Sequence, residues 1–296
     1  MLEVIKFGGN TLRDFELIQS AADYVSKKIT ENKKIIIVTS AMGRIGDPYS
    51  TDTLKSLLKT EAKPNDLDRL LSVGETVSSI VFKSFLDALN VNNYVCSVKD
   101  VGIITDSNFN DANILKVEDN LITFLDKYDC VIVPGFQGIN VNFEITTLGR
   151  GGSDTTAIVL ASKYNADVVE IISDVPGILT ADPKLVPNAK LVKKITYEQL
   201  IKITNNGCRV LHHKAALLSK KHDVKLKFLS LENPEHYTII DKNNEFFNIT
   251  YELINNKTRA KICIVKKEGE TFIVTNISKL KEEINYYHDV YIGSYR

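Results

Sequence analysis

Lys6 stands just before Gly8 and Gly9, Glu75 follows Gly74, and Arg150 precedes Gly151 and Gly152. Asp154, Asp174 and Asp182 lie near later strand ends. Fixed charges beside glycine turns suit phosphoryl transfer, which asks little covalent help of a protein and relies on cations and backbone donors around the moving group. The densest such stretch is 146–161, TTLGRGGSDTTAIVLA. There Gly149, Gly151 and Gly152 admit φ > 0 and a close ligand approach, and Ser153 and Asp154 are expected to cap a helix beginning near Thr155. Backbone N–H groups, the helix dipole and Arg150 would together hold a carboxylate or a phosphate. Glycines before a helix also serve plain tight turns, and a lone lysine at a strand edge is usually just solvated. What lifts Lys6 above that is its position before a double glycine that lets the backbone reach the same ligand.

Other chemistries lack their signatures. There is no GxxxxGK[ST] loop, no GxGxxG fingerprint, no protein-kinase motif set and no GxSxG elbow. The histidines, His212, His213, His222, His236 and His288, have no HExxH spacing, so no protein-held metal is expected. Cys96, Cys130, Cys208 and Cys263 are far apart with no CxxC pair, which fits buried thiols of a reducing cytoplasm rather than disulfides or zinc.

These residues need a scaffold, and 296 residues at 44% hydrophobic content supply a full core. Lys plus Arg and Asp plus Glu both number 37, so neither a nucleic-acid footprint nor a polybasic membrane anchor is expected. The opening MLEVIKFGGN fits neither a signal peptide nor a membrane span, and a cytoplasmic protein is expected. Residues 2–7 and the β-branched run 33–39 read as strands covered on both faces, and residues 15–29 as a helix with Ile18, Ala21, Ala22, Val25 and Ile29 on one face. Helix is expected over 52–89, 114–125, 196–203 and 210–221, and strands over 93–98, 129–134, 167–172 and 224–229. Strands alternating with helices and ending in glycine loops predict a three-layer α/β/α domain with a mainly parallel central sheet and ligands at the carboxyl ends of its strands. Beyond Pro234 the texture changes to a small α+β segment: strands over 261–265 and 271–275, a helix over 278–284 and a last strand over 289–292.

KFGGNT, SAMG, VGE, TTLGRGGSDTTA, SDVPGILTADPKLVPNAKLVKKITYEQL and GCRVLHHKA, in that order, closely resemble the aspartokinase branch of the amino-acid kinase family over residues 1 to about 234. The resemblance implies the amino-acid kinase fold over 1–234, followed by a short, partial ACT-like segment over 235–296. It also implies transfer of the γ-phosphoryl of ATP to the β-carboxylate of L-aspartate, the entry step to lysine, threonine and methionine synthesis. Lys6 would neutralise the transferred phosphoryl, with Gly8 and Gly9 donating N–H groups, and Asp154 would organise the lysines and substrate. Glu75 would hold the α-amino group of aspartate and Arg150 its α-carboxylate, with Thr11, Ser40, Gly151, Gly152 and Ser153 around them. Ser173, Asp174, Thr180, Asp182 and Lys184 would line the nucleotide, and Mg²⁺ would arrive on ATP rather than in a protein cage. The chain departs from the family where Asn10 and Thr11 follow the glycines, and at Ser173, Lys184 and His213. An arginine-to-lysine change at Lys184 loses a planar fork if that position meets phosphate.

The expected partners are L-aspartate and ATP, a second copy of the chain in a homodimer, and as an open alternative a separate regulatory subunit. Aspartokinases continue into paired ACT modules; after Pro234 there is room for one shortened module, so weakened feedback by lysine or threonine is expected. Two rivals stand beside this reading: an amino-acid kinase for another acidic substrate, and a non-catalytic nucleotide-binding regulatory subunit.

Overall fold

The computed structural model describes residues 1–31, 33–240, 248–266 and 269–292. The chain divides into two compact units, 1–174 with 221–226, and 175–220 with 227–296.

The first unit begins β1 (Leu2–Phe7), α1 (Phe15–Thr30), β2 (Lys34–Thr39), α2 (Thr51–Ser56), α3 (Pro64–Ala88), β3 (Asn93–Val95) and α4 (Val98–Val101). It continues β4 (Ile103–Thr105), β5 (Ile114–Val117), α5 (Leu121–Leu125), β6 (Cys130–Pro134), β7 (Gln137–Ile139), β8 (Ile145–Thr147), α6 (Gly152–Lys163) and β9 (Val168–Ile172). Its main sheet is parallel throughout, in the order β9-β1-β2-β6-β3. Val4, Ile5, Ile35, Ile36, Ile37, Val38, Val131 and Ile132 are fully buried, as unbroken β-branched runs require when both faces of a sheet are covered. Side chains alternate along β1, so Glu3 and Phe7 point to one face, where Phe7 meets Phe82 of α3, and Lys6 points to the other, toward Asp154 of α6. A second sheet, β5-β4-β7-β8, carries the segment leading into α6.

The second unit contains β10 (Lys194–Ile195), α7 (Tyr197–Asn205), most of α8 (His213–Lys221) and of β11 (Leu226–Leu229), and β12 (Tyr237–Ile240). It ends in β13 (Asn248–Ile254), β14 (Arg259–Lys266), β15 (Gly269–Asn276) and α9 (Leu280–Ile292). The last three strands form an antiparallel sheet whose Ile249, Ala260, Ile262 and Ile264 pack with Leu280 and Ile284 of α9. Ala181 and Val186 belong to the same core, so the strands beyond Pro234 share their interior with the segment around 180–190.

Several elements differ from expectation. Residues 114–125 are a strand and a short helix, because Ile114 and Val117 pair with β4 across a bulge. Residues 289–292 continue α9 rather than forming a strand: Ile284, Tyr287, Tyr291 and Ile292 recur at helical spacing and pack on the sheet, which overrides the strand preference of DVYI. The helix over 52–89 is broken into α2 and α3, with Pro64 at the first turn of α3. Among the described residues beyond Pro234 the order is thus β12, then three antiparallel strands and α9, with no strand after the helix, and β12 and β13 went unforeseen. All four cysteines are free thiols, Cys208 half-buried and the rest buried. Burial pushes Cys130 up to about 12 and Cys208 and Cys263 to about 11, as for inert core thiols. No helix among the described residues is long and apolar enough to cross a membrane.

Candidate active site

The carboxyl ends of β1, β2 and β9 meet at a pocket of about 190 Å³ lined by residues 8–11, by Gly43 and Arg44, and by Ser173 and Asp174. Its size suits a phosphate chain rather than a whole nucleotide. After β1 the chain turns at once into a 3₁₀ turn (Gly9–Leu12). A Cβ on Gly9 would lie 2.5 Å from Ala41 O and 2.7 Å from Gly43 O, so only glycine lets this turn sit against the SAMG loop. The Gly8 N–H donates to Ile172 O (3.2 Å), which leaves the Gly9 N–H, at the open start of the turn, as the donor of the pair for a ligand. The Thr11 hydroxyl donates back to Gly8 O at 2.6 Å and fixes the turn from within.

Asn10 donates to Asp174 Oδ2 at 2.5 Å, and Arg44 Nη2 reaches the same oxygen at 3.2 Å. Arg44 was not anticipated; a cation directly after SAMG was the signal for it. Lys6 Nζ lies 2.7 Å from Asp154 Oδ1, and a methyl group on Gly8 would stand 3.8 Å from that ammonium, which places the cation over the glycine turn. Asp154 holds it from the first turn of α6, where the helix dipole favours a carboxylate.

α6 begins at Gly152 rather than near Thr155, and its cap is Gly151 at φ 72°, so Ser153 and Asp154 are inside the helix and do not cap it. Gly149 is also left-handed, φ 74°, and the two glycines bracket Arg150. Arg150 is exposed and has no ion-pair partner among the described residues. Ser153 and Gly152 are buried, and Gly152 admits no Cβ because Phe136 Cδ2 would be 2.6 Å away.

Glu75 sits mid-way along α3 and is 3% exposed. Its Oε1 accepts the Ala41 N–H at 3.1 Å, while Oε2 is buried without a hydrogen-bond partner among the described residues. Burial raises its pKa to about 8, against the weaker opposing pull of the Ala41 bond. Gly74 lets α3 close on this loop: a Cβ there would come within 2.7 Å of Ala41 Cβ and Tyr49 O. Ser40, half-buried at the end of β2, donates its N–H to Phe7 O.

The first unit therefore gathers Lys6, Gly8, Gly9, Thr11, Ser40, Glu75, Arg150 to Asp154, Ser173 and Asp174. Thr180, Asp182 and Lys184 belong to the second unit. There the buried Thr180 hydroxyl lies 2.9 Å from His288 Nε2 and accepts the Lys190 N–H at 2.9 Å. Asp182 accepts the Lys184 N–H at 2.9 Å, and the Lys184 side chain is exposed.

A parallel sheet with glycine turns at its carboxyl ends, a lysine over the first turn and a helix N-terminus facing it are the marks of a phosphoryl-transfer fold. The chain belongs to the amino acid kinase family, whose model matches residues 1–230. Within that family it is similar to aspartokinases. Aspartokinase 1 of Bacillus subtilis is 35% identical over 241 residues, 80% of this chain and 60% of that protein. Aspartate kinase from Synechocystis superimposes with a TM-score of 0.71 at 32% identity, over 82% of this chain and 41% of that one. Aspartokinase III of E. coli, solved in complex with aspartate and ADP, shares the fold with a TM-score of 0.70 at 24% identity, over 85% of this chain and 68% of that one. The chain spans about 60% of the length of the curated relatives it matches.

Proposed function

We propose that the protein phosphorylates the β-carboxylate of L-aspartate with ATP, yielding an acyl phosphate and ADP. The observation that carries this reading is Glu75: a buried carboxylate with one oxygen fixed by the Ala41 N–H and the other without a partner among the described residues calls for a donor that brings positive charge. The α-ammonium of an amino acid supplies both. Arg150, presented by two left-handed glycines and without an ion-pair partner among the described residues, is suited to the α-carboxylate through a bidentate fork. Gripping both α groups leaves the side-chain carboxylate as the nucleophile.

In the reaction one oxygen of that carboxylate forms a bond to the γ-phosphorus while the bond from phosphorus to the β,γ-bridging oxygen breaks, and ADP departs with the electron pair. The nucleophile is already ionised at neutral pH, so no general base is needed. The barrier lies in bringing two anions together. Lys6 neutralises charge on the moving group, Asp154 holds the lysine over the Gly8–Gly9 turn, and the Gly9 N–H adds a fixed donor. Asp174, at the rim of the pocket, is a hard oxygen donor of the kind Mg²⁺ accepts, and when bound on ATP the ion would neutralise phosphate charge. Asp182 and Lys184 are read as the nucleotide-facing part of the second unit, whereas Thr180, expected to line the nucleotide, is buried with its hydroxyl on His288 and is read as a support of that loop. Residues 1–234 are read as the catalytic region, and 235–296 as a segment that supports the loop around 180–190 through their shared core.

A hydroxylamine-trapping assay with Mg·ATP and L-aspartate, L-glutamate, N-acetylglutamate or no acceptor tests this directly. Hydroxamate with aspartate alone is the expected outcome. Signal with another acid would retain the kinase chemistry and overturn the substrate; nucleotide binding with no hydroxamate from any acid would favour a regulatory subunit.

A further inference from the structure

Asp68 is wholly buried on α3, two helical turns before Glu75 and on the same face of the helix. Its Oδ2 accepts the Thr147 N–H at 2.8 Å, its Oδ1 the Thr147 hydroxyl at 2.7 Å, and both oxygens share the Asn110 N–H at 3.0 and 3.1 Å. No cation pairs with it among the described residues, and burial raises its pKa despite those bonds. An apolar side chain would be less costly to bury, so the carboxylate must be justified by what its bonds hold in place.

They hold the two walls of one turn. Thr147 ends β8, two residues before Gly149, and its carbonyl accepts the Ala112 N–H at 2.9 Å. Asn110, itself left-handed at φ 68°, forms the opposite wall: a Cβ on Gly149 would lie 2.6 Å from Asp111 Oδ1 and 3.3 Å from Asn110 O. Between these walls and Gly151 the chain presents Arg150. One end of a buried helix face thus anchors the turn that carries the arginine, and two turns further on the same face carries Glu75.

We propose that Asp68 is a positioning residue that fixes the Arg150 turn against α3 and so sets the spacing between the groups that grip the acceptor's carboxylate and ammonium. This rests on the aspartate reading above. It makes the separation of the two grips, and with it selection for an α-amino acid, depend on a residue that touches neither ligand.

The test is steady-state kinetics of full-length Asp68→Asn beside the parent. The amide keeps the shape but turns one acceptor into a donor facing Thr147 or Asn110. The KM for L-aspartate is expected to rise about 10- to 100-fold, as for a small misplacement of a gripping group, with the KM for ATP unchanged. Thr147→Val, which removes one bond and keeps the backbone N–H, is expected to shift the same constant by about two- to tenfold, and it carries the test if Asp68→Asn does not fold. A purely structural Asp68 would lower Vmax and melting temperature with both KM values intact, and that result, or a parallel rise in both KM values, overturns the proposal. Parent protein that yields no hydroxamate with any acid overturns the reading of the reaction and this role with it. Parent active on a different acid keeps the role under test, with that acid's KM as the readout.

Discussion

Two ends of one strand solve opposite electrostatic problems. At the amino end of β1, Glu3 is buried and accepts from Lys28 Nζ at 2.5 Å, with Lys33 at 3.1 Å on its other oxygen. Lys28 also meets Glu170 at 3.0 Å, and the Tyr24 hydroxyl donates to the same Glu170 oxygen at 2.8 Å. Every buried charge there is matched from within the chain. At the carboxyl end Lys6 has its aspartate, but Glu75 keeps one oxygen unpartnered and Arg150 stands without a carboxylate among the described residues. Matched charges brace the sheet; unmatched ones are available to a ligand. The kinds of residue are the same at both ends, so it is the completeness of their pairing that separates scaffold from site.

Removing a charge from each end should separate the two roles. Lys28→Ala leaves Glu3 and Glu170 buried without their shared cation, and is expected to cost about 3–5 kcal/mol of stability. Urea denaturation would show it, with kcat per folded molecule unchanged. Lost activity at unchanged stability would mean that the amino end is no mere brace. Lys6→Ala is expected to do the converse, lowering kcat by about 10²- to 10³-fold, the scale for removing one transition-state donor. Its KM for aspartate should stay close to that of the parent, and because Asp154 is left buried without its cation the loss of kcat is read per folded molecule. A variant with normal kcat would remove Lys6 from the mechanism.

How far this contrast could be read from the sequence depended on range. β1 and β2 were legible because continuous β-branched runs have one good environment, and the glycine turns because φ > 0 and close approach narrow the choice of residue. Lys6, Glu75, Arg150 and Asp154 stood out by type and neighbours, yet the pairing of Lys6 with Asp154 is a tertiary fact that no local spacing encodes. Asp68 left a fainter trace, a carboxylate seven residues before Glu75, and only the bonds to Thr147 and Asn110 distinguish it from a surface acid. The inward turn of Thr180 had no local signal, since its partner His288 is 108 residues away in the chain. Residues 114–125 misled because Ile114, Val117, Leu121 and Leu125 fit a helical period, while pairing with β4 decided the matter.

The smallest expected effect probes the unmatched end most directly. The Glu75 pKa is raised from an ordinary 4.5 to about 8 by burial. Between those values the unfolded chain has lost this proton while the folded one retains it. The stability linked to Glu75 is therefore complete below about 4.5 and declines as pH rises toward 8, by up to about 1.4 kcal/mol per pH unit. An incoming ammonium offsets the cost of burying the charge, stabilises the carboxylate and brings the pKa down. Aspartate binding at pH 7 should then release about one proton from Glu75, and the KM for aspartate should fall as pH rises toward 8. Calorimetric titration in two buffers of different ionisation enthalpy measures that proton, and Glu75→Gln, which has none to release, is the control. Binding with no proton release in the parent would mean that Glu75 is already ionised or does not meet the ammonium, and the contrast between the two ends of β1 would then rest on Arg150 alone.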